Sequence, residues 1–284
     1  MPPLACDCHL HVFGTSERYP FTPRRSYTPP EATIEDYRAS HRPLGLARVV
    51  LVQASAYGSD NRCMLAALAR LGDAGRAVAV VDAAASAAEL AALDGAGVRG
   101  MRVNIVTHGQ VSSAQARDAI LRMAERIAPL GWHLQLFLDP PLIAALAETL
   151  ATLPLAVVID HMGLPDATAG LGQPGFAALL DLVRGGSTWV KLSGADRVAH
   201  SNHDFRAAAP FARALIAARP DRLVWGSDWP HIGWHGSTSV EHGEILPYRA
   251  VDDGKLLGLL AAWGADEATR QRILVDNPAQ LYGF

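Results

Sequence analysis

The chain has 284 residues and a formal net charge of −3, and half of its residues are hydrophobic. This length suits one α/β barrel or two ordinary domains, and the weak charge argues against binding of nucleic acid or of an acidic membrane surface. Three cysteines are too few for a disulfide framework, and the sequence has neither a signal-peptide pattern nor an uncharged apolar run of about 18 residues, so a cytoplasmic protein without membrane spans is expected.

Eight short apolar segments, rich in β-branched residues, follow one another along the chain. They are apolar almost throughout rather than alternating, which is typical of strands that are buried on both faces of a parallel sheet. The predicted strands cover residues 4–12, 47–53, 77–82, 98–104, 132–138, 155–160, 188–193 and 222–227.

Helical patterns separate most of these strands, and two more close the chain. Eight strands that alternate with helices predict a (β/α)8 barrel formed by a single domain, residues 1–284. The alternative is an open doubly wound sheet, but no G-x-G-x-x-G follows the first strand. The predicted helices cover residues 31–40, 60–71, 86–93, 113–130, 141–153, 174–183, 205–218, 253–263 and 266–275.

Two long segments interrupt the alternation. Residues 14–43 are rich in proline and arginine, and residues 229–248 contain three histidines and two tryptophans. Long loops that follow barrel strands usually build the mouth of an active site. The sequence therefore predicts that both segments border a functional cavity.

The first predicted strand contains polar residues at every second position. Asp7, His9 and His11 would share one face of a regular strand. A polar stripe in a buried strand is costly unless other groups pair with it. We therefore expect the two histidines to be functional, and Asp7 to have a supporting role.

Polar residues also stand at the ends of the other predicted strands, and strand ends of one barrel converge on one site. Imidazoles bind metals or donate to a carbonyl oxygen, a carboxylate activates water, and guanidinium groups hold carboxylates. Such a set predicts a hydrolase site. The candidates are His9, His11, Gln53, Ser55, Tyr57, Arg102, Asn104, His108, Gln135, Asp139, Asp160, His161, Lys191, Ser193, Asp196, Arg197, Ser227, Asp228 and His231.

Three stretches in chain order, DCHLHVFG at 7–14, IDHMG at 159–163 and WGSDWPH at 225–231, resemble the amidohydrolase superfamily. The stretches RSYTPPE at 25–31, VQASAYG at 52–58 and GVRGMRVN at 97–104 are similar to the group that contains 2-pyrone-4,6-dicarboxylate hydrolase. The resemblance implies a distorted (β/α)8 barrel, with its active site at the carboxyl ends of the strands, that hydrolyses a small anionic lactone.

The resemblance also implies roles for single residues. Asp228 would be the general base toward water, and His9, His11 and His161 would surround the lactone carbonyl. The remaining implied residues are Arg102 and Arg197, which would bind substrate carboxylates, and Tyr27 and Ser55, which would orient the substrate.

Two further histidines bear on the substrate. His108 stands about where the pyrone dicarboxylate enzymes carry a second arginine, and an imidazole binds a carboxylate more weakly than a guanidinium does. The substrate is therefore expected to carry one carboxylate or a different polar group. His231, in the late loop, is a candidate substrate contact.

The sequence does not decide whether the site holds a metal ion. His9, His11, His161 and Asp228 could hold one divalent cation, most suitably Zn²⁺. The pyrone branch that the chain resembles is metal-independent, whereas related sugar lactonases and decarboxylases use one metal. The resemblance therefore favours a site without a cofactor.

Other activities on the same fold stay open. They are a sugar-acid lactonase, a lactone isomerase and a metal-dependent decarboxylase. A non-catalytic barrel that binds a small acid is a further alternative, but a binding protein needs no base. The expected form is a monomer or a small homo-oligomer.

Overall fold

The computed structural model describes residues 1–23, 25–105, 111–234 and 244–284. Eight strands form one parallel sheet in which each strand pairs with the next in the chain. They are β1 (Cys6–Leu10), β2 (Arg48–Val52), β3 (Gly75–Ala79), β4 (Val98–Asn104), β5 (His133–Phe137), β6 (Val157–Ile159), β7 (Thr188–Leu192) and β8 (Leu223–Trp225).

The sheet curves until its first strand meets the segment after its last. Asp228 N donates to His9 O, and His11 N donates to Trp229 O, each over 2.8 Å. These bonds bring the end of β1 beside the chain that leaves β8. The predicted (β/α)8 barrel is therefore confirmed, and each predicted strand overlaps an observed one.

Helices follow the strands and cover the outside of the barrel. The early ones begin at side-chain caps, since Thr33, Ser86 and Ser112 each take part in a capping box. The helices are α1 (Ile34–His41), α2 (Arg62–Leu71), α3 (Ala87–Gly95), α4 (Ser113–Ile127), α5 (Pro140–Ala151), α6 (Pro174–Gly185), α7 (Ala195–Ala199), α8 (Ala209–Ala218), α9 (Asp253–Ala262), α10 (Glu267–Gln271) and α11 (Asn277–Tyr282).

Some boundaries differ from the sequence prediction. The short helix α7 was not predicted, because five residues are too few to show a helical period. The predicted final helix, residues 266–275, is instead α10 and a π-helical turn over Arg272–Asp276, and α11, which follows this turn, was not predicted. All helices in the described part of the chain are too short or too polar to span a bilayer.

Strand β1 is irregular, and this corrects one expectation. Its register against β2 shifts between Asp7 and Leu10, which is the mark of a β-bulge. Asp7 therefore does not share a face with His9. Its carboxyl group accepts a hydrogen bond from the Tyr37 hydroxyl of α1, over 3.0 Å.

Candidate active site

Three histidines and one carboxylate meet at the carboxyl end of the barrel. His9 lies in β1, His11 follows β1, His161 follows β6, and Asp228 follows β8. Oδ1 of Asp228 lies 3.7 Å from Nε2 of His9, 3.7 Å from Nε2 of His11 and 3.8 Å from Nε2 of His161. All four side chains are buried. Oδ1 of Asp228 thus faces the edges of three imidazole rings at distances of 3.7–3.8 Å.

An unusual backbone conformation sets the direction of two of these side chains, Asp228 and His161. Asp228 and His161 have φ values of 65° and 52°, a left-handed region that residues other than glycine adopt rarely. Hydrogen bonds from Asp228 and from the residue before it hold this conformation. The N–H of Asp228 donates to His9 O, and the preceding residue, Ser227, donates its N–H to Asp7 Oδ1 over 3.0 Å.

Asp228 is the anionic member of the group. Burial would raise its pKa, but the Arg197 guanidinium group holds the pKa of Asp228 well below its usual range. The strongest contact is with Arg197, whose Nε donates to Oδ2 over 2.7 Å. Because Arg197 occupies Oδ2, Oδ1 is the oxygen that faces the histidines.

The three imidazoles are neutral. Burial lowers the pKa of His11 and of His161 to about 4. Burial, together with the nearby Lys191 ammonium group, lowers the pKa of His9 well below its ordinary value. Each ring therefore has one nitrogen that donates and one that accepts.

A buried polar layer lies below the histidines. Asp160 accepts from Arg102 Nε over 3.0 Å and from Gln135 Nε2 over 3.1 Å. Lys191, which is fully buried, donates to Gln135 Oε1 over 2.7 Å and to Cys8 O over 2.9 Å. Burial lowers the pKa of Lys191 to about 8. Lys191 and Gln135 are among the candidates predicted from the sequence, but without a specific role, although a lysine inside a doubly buried strand is itself an unusual signal.

A cavity of about 700 Å³ opens above the histidines. It brings together four residues that the sequence assigned to substrate binding, Tyr27, Ser55, Arg102 and Arg197. Ser55 Oγ donates to the Tyr27 hydroxyl over 3.2 Å. The apolar part of the wall is formed by Phe137, Leu164, Val198, Ile232 and Trp234.

The sequence model of the amidohydrolase family matches residues 6–284. The chain belongs to the amidohydrolase family. The 4-sulfomuconolactone hydrolase of Rhizobium radiobacter is 37% identical to it, over 100% of this chain and 91% of the relative. The 2-pyrone-4,6-dicarboxylate hydrolase of Comamonas testosteroni is 36% identical, over 99% of this chain and 91% of the relative.

A solved structure supports the same fold. The structure of a probable 2-pyrone-4,6-dicarboxylic acid hydrolase from Acinetobacter baumannii, with citric acid bound, matches with a TM-score of 0.81 at 25% identity. The match covers 99% of this chain and 100% of that chain. The chain is therefore an amidohydrolase in sequence and in fold.

One predicted residue of this amidohydrolase, His231, is not part of the histidine group. His231 faces a separate cavity, and its Nε2 lies 2.8 Å from Asp253 Oδ1. The same carboxylate contacts His41 Nε2 over 2.9 Å through its other oxygen. Asp253 thus connects the late loop to α1, away from the Asp228 carboxylate. His108 lies outside the described residues.

Three of the four central residues of the amidohydrolase also form a possible metal site. Candidate ligand atoms of His9, His161 and Asp228 all lie within 4.8 Å of one another, and His11 Nε2 is 3.3 Å from His9 Nε2. Tetrahedral ligands at about 2.1 Å from a zinc ion are about 3.4 Å apart, so the distances fit an ion.

The charges around the group do not favour such an ion. Lys191 and Arg102 flank Asp160, and Arg197 pairs with Asp228, so the described floor of the site contains more cationic than anionic side chains. A further cation would be repelled in this poorly screened interior, whereas an anion would be attracted. The donor set therefore fits a metal ion in its distances but not in its electrostatic surroundings.

Proposed function

We propose that this amidohydrolase opens the ring of a small anionic lactone by hydrolysis, with Asp228 as the general base and without a resident metal ion, in a single catalytic domain. The observation that carries the proposal is the placement of Asp228 Oδ1 among three neutral imidazoles, under a cavity that contains two guanidinium groups. The activities named for the relatives at 36% and 37% identity, two lactone hydrolases, support the same reaction class.

The proposed reaction begins with a water molecule beside Asp228 Oδ1. Asp228 takes a proton from this water as the water oxygen attacks the lactone carbonyl carbon. The ring C–O bond then breaks, and the proton on Asp228 passes to the departing ring oxygen. The product is one open-chain acid, which carries a new carboxylate and a new hydroxyl or enol group.

Imidazole N–H groups would stabilise the negative charge that forms on the carbonyl oxygen. Each preorganised donor in a buried site contributes about 3 kcal/mol to the barrier reduction. The neutral state of the rings serves this purpose, because a neutral imidazole keeps one N–H at a defined nitrogen. Arg197 keeps Asp228 ionised, and this makes the carboxylate ready to accept the proton from water.

The proposed substrate is anionic because of the guanidinium groups. Arg102 and Arg197 both line the cavity, and each has its Nε fixed by a buried carboxylate, Asp160 or Asp228. A guanidinium that is anchored through Nε can still offer its two terminal nitrogens to a ligand carboxylate. The two anchored guanidinium groups therefore favour a substrate with at least one acidic substituent.

The proposal is tested with a pH-indicator assay, since lactone hydrolysis releases a proton from the new acid. The substrates are 2-pyrone-4,6-dicarboxylate, 4-sulfomuconolactone, a sugar-acid lactone and an uncharged lactone, with protein dialysed against a chelator. We expect kcat/KM to be at least ~100-fold higher for an anionic lactone than for the uncharged one. Activity that disappears after chelation and returns with Zn²⁺ would contradict the metal-free mechanism.

Products distinguish the remaining alternatives. Ring isomerisation would consume the lactone without releasing acid, and decarboxylation would release carbon dioxide. Tight binding of an acid without turnover of any lactone would indicate a binding protein. Proton NMR identifies an isomer, which has the mass of its substrate, mass spectrometry identifies the hydrolysed and decarboxylated products, and calorimetry detects binding.

A second prediction concerns Arg102. Arg102→Lys keeps a cation beside Asp160 but removes the planar fork, so it should raise KM for an anionic lactone by about tenfold or more and change kcat less. Kinetics with charged and uncharged lactones check this. Arg38→Lys, a change at an exposed arginine on α1, is the matched control. An equal effect of Arg102→Lys on both lactones would show that Arg102 does not bind the acidic group.

A further inference from the structure

A chain of polar contacts runs through the histidines, and each of its ends has a fixed hydrogen-bonding role. One end is the Lys191 ammonium group, which only donates, and it lies 3.2 Å from His9 Nδ1. The other end is the Val52 carbonyl oxygen, which only accepts, and it lies 2.8 Å from His11 Nδ1. Between them, His9 Nε2 and His11 Nε2 are 3.3 Å apart.

The accepting end, the Val52 carbonyl, determines which nitrogen of His11 carries a hydrogen. Because the Val52 carbonyl cannot donate, His11 Nδ1 must carry the hydrogen of this bond. His11 is neutral, so its Nε2 has no hydrogen and accepts. The hydrogen between the two rings must then be on His9 Nε2.

The donating end leads to the same assignment. Two of the three hydrogens of Lys191 Nζ go to Gln135 Oε1 and Cys8 O, and the third faces His9 Nδ1 over 3.2 Å, which again places the hydrogen of the His9 ring on Nε2. Asp160 Oδ1 lies 3.3 Å from the same Nδ1 and 3.7 Å from Lys191 Nζ, so it competes with His9 Nδ1 for the ammonium hydrogen. The contact of His11 with the Val52 carbonyl therefore carries the assignment, and the contact of Lys191 with His9 supports it.

We propose that Lys191 is a positioning residue that fixes His9 as the Nε2–H tautomer and thereby keeps the site in its metal-free form. The part that concerns catalysis rests on the proposed function. His9 presents its N–H at the level of Asp228 Oδ1, where a lactone carbonyl oxygen can replace His11 as the acceptor. This hydrogen is bonded to His9 Nε2, which is the nitrogen that a metal ion would need as a ligand.

A metal-binding state requires the opposite arrangement. The hydrogen of His9 would have to move to Nδ1 and point at Asp160 Oδ1, which is the carboxylate–histidine arrangement common at metal sites. The Lys191 ammonium group opposes this state, because a hydrogen on Nδ1 would face its own donors. Removal of the ammonium group should therefore release His9 toward the metal-binding tautomer.

The wild-type protein provides the first test. Long-range ¹H–¹⁵N spectra of protein labelled at histidine distinguish the two tautomers, and His9→Gln identifies the signals of His9. We expect the Nε2–H form for His9 and the Nδ1–H form for His11. A His9 ring with its hydrogen on Nδ1 would overturn the proposal. This measurement needs no substrate, so it is independent of whether the protein hydrolyses lactones.

The second test uses the two lysines of the chain. Lys191→Met keeps an unbranched side chain but has no donor, and Lys255→Met changes the exposed lysine of α9. Zn²⁺ titration by calorimetry should give at least tenfold tighter binding for Lys191→Met than for wild type, with no change for Lys255→Met. The His9 signals of Lys191→Met should move to the Nδ1–H pattern.

Kinetics on the metal-free variants complete the test. Lys191→Met should lower kcat at least tenfold and leave KM nearly unchanged, because the misplaced proton affects the transition state rather than substrate binding. Zn²⁺ affinity equal to that of wild type in a folded Lys191→Met protein would overturn the proposal. If this variant does not fold, the tautomer spectra of the wild type still decide.

Discussion

Asp228→Asn is expected to lower kcat by about 10³-fold, within the range of general-base contributions, and to leave the fold intact. The amide has nearly the shape of the carboxyl group, and its oxygen can still accept from Arg197 Nε, which is now 2.7 Å from Oδ2. It cannot accept a proton from water or return one to the leaving oxygen. Steady-state kinetics with the best lactone of the panel, and thermal melting, check both parts of the prediction.

The control for this variant is Asp181→Asn, the same chemical change at an exposed helix carboxylate that pairs with Arg184. It should keep the wild-type kcat and melting temperature. Near-normal turnover by a folded Asp228→Asn protein would exclude Asp228 as the base. The three histidines would then have to be examined as the proton acceptors, although burial makes the pKa of His11 and of His161 about 4 and leaves them weakly basic.

The barrel could be predicted from sequence because its strands are buried on both faces. Apolar segments such as Arg48–Val52 and Val157–Ile159 contain almost no polar residue, and helical patterns separate them. The topology then follows from the alternation, since parallel strands need crossovers and right-handed crossovers close a barrel. Short elements without a period, such as α7, could not be found in this way.

The convergence of His9, His11, His161 and Asp228 follows from the topology, whereas the orientation of single side chains does not. A β-bulge in β1 turns Asp7 away from His9, and no local pattern in CDCHLH indicates it. His231 follows Asp228 by three residues, but a φ of 62° directs its ring toward Asp253. The contact of Lys191 with His9 depends on the depth of each side chain inside the barrel, which sequence spacing alone does not give.

Asp7→Ala is expected to have the largest effect on stability. The buried carboxyl group of Asp7 accepts four hydrogen bonds, from His9 N, from Ser227 N and Oγ, and from the Tyr37 hydroxyl. Burial raises the pKa of Asp7, so these bonds offset its desolvation only in part. Alanine would leave two backbone N–H groups without acceptors, and the free energy of unfolding should fall by about 3 kcal/mol or more. Thermal melting should show a decrease of about 5–10 °C.

Asp7→Asn separates the charge of this group from its hydrogen bonds. The amide oxygen can still accept from His9 N and Ser227 N, and the amide nitrogen can donate to the Ser227 and Tyr37 hydroxyls, because a hydroxyl can turn from donor to acceptor. The loss of stability should therefore be less than half of that for Asp7→Ala. Equal melting temperatures for Asp7→Ala and wild type would show that the four bonds make no net contribution. A stable Asp7→Ala protein with low kcat would instead limit their role to holding Asp228 opposite the histidines.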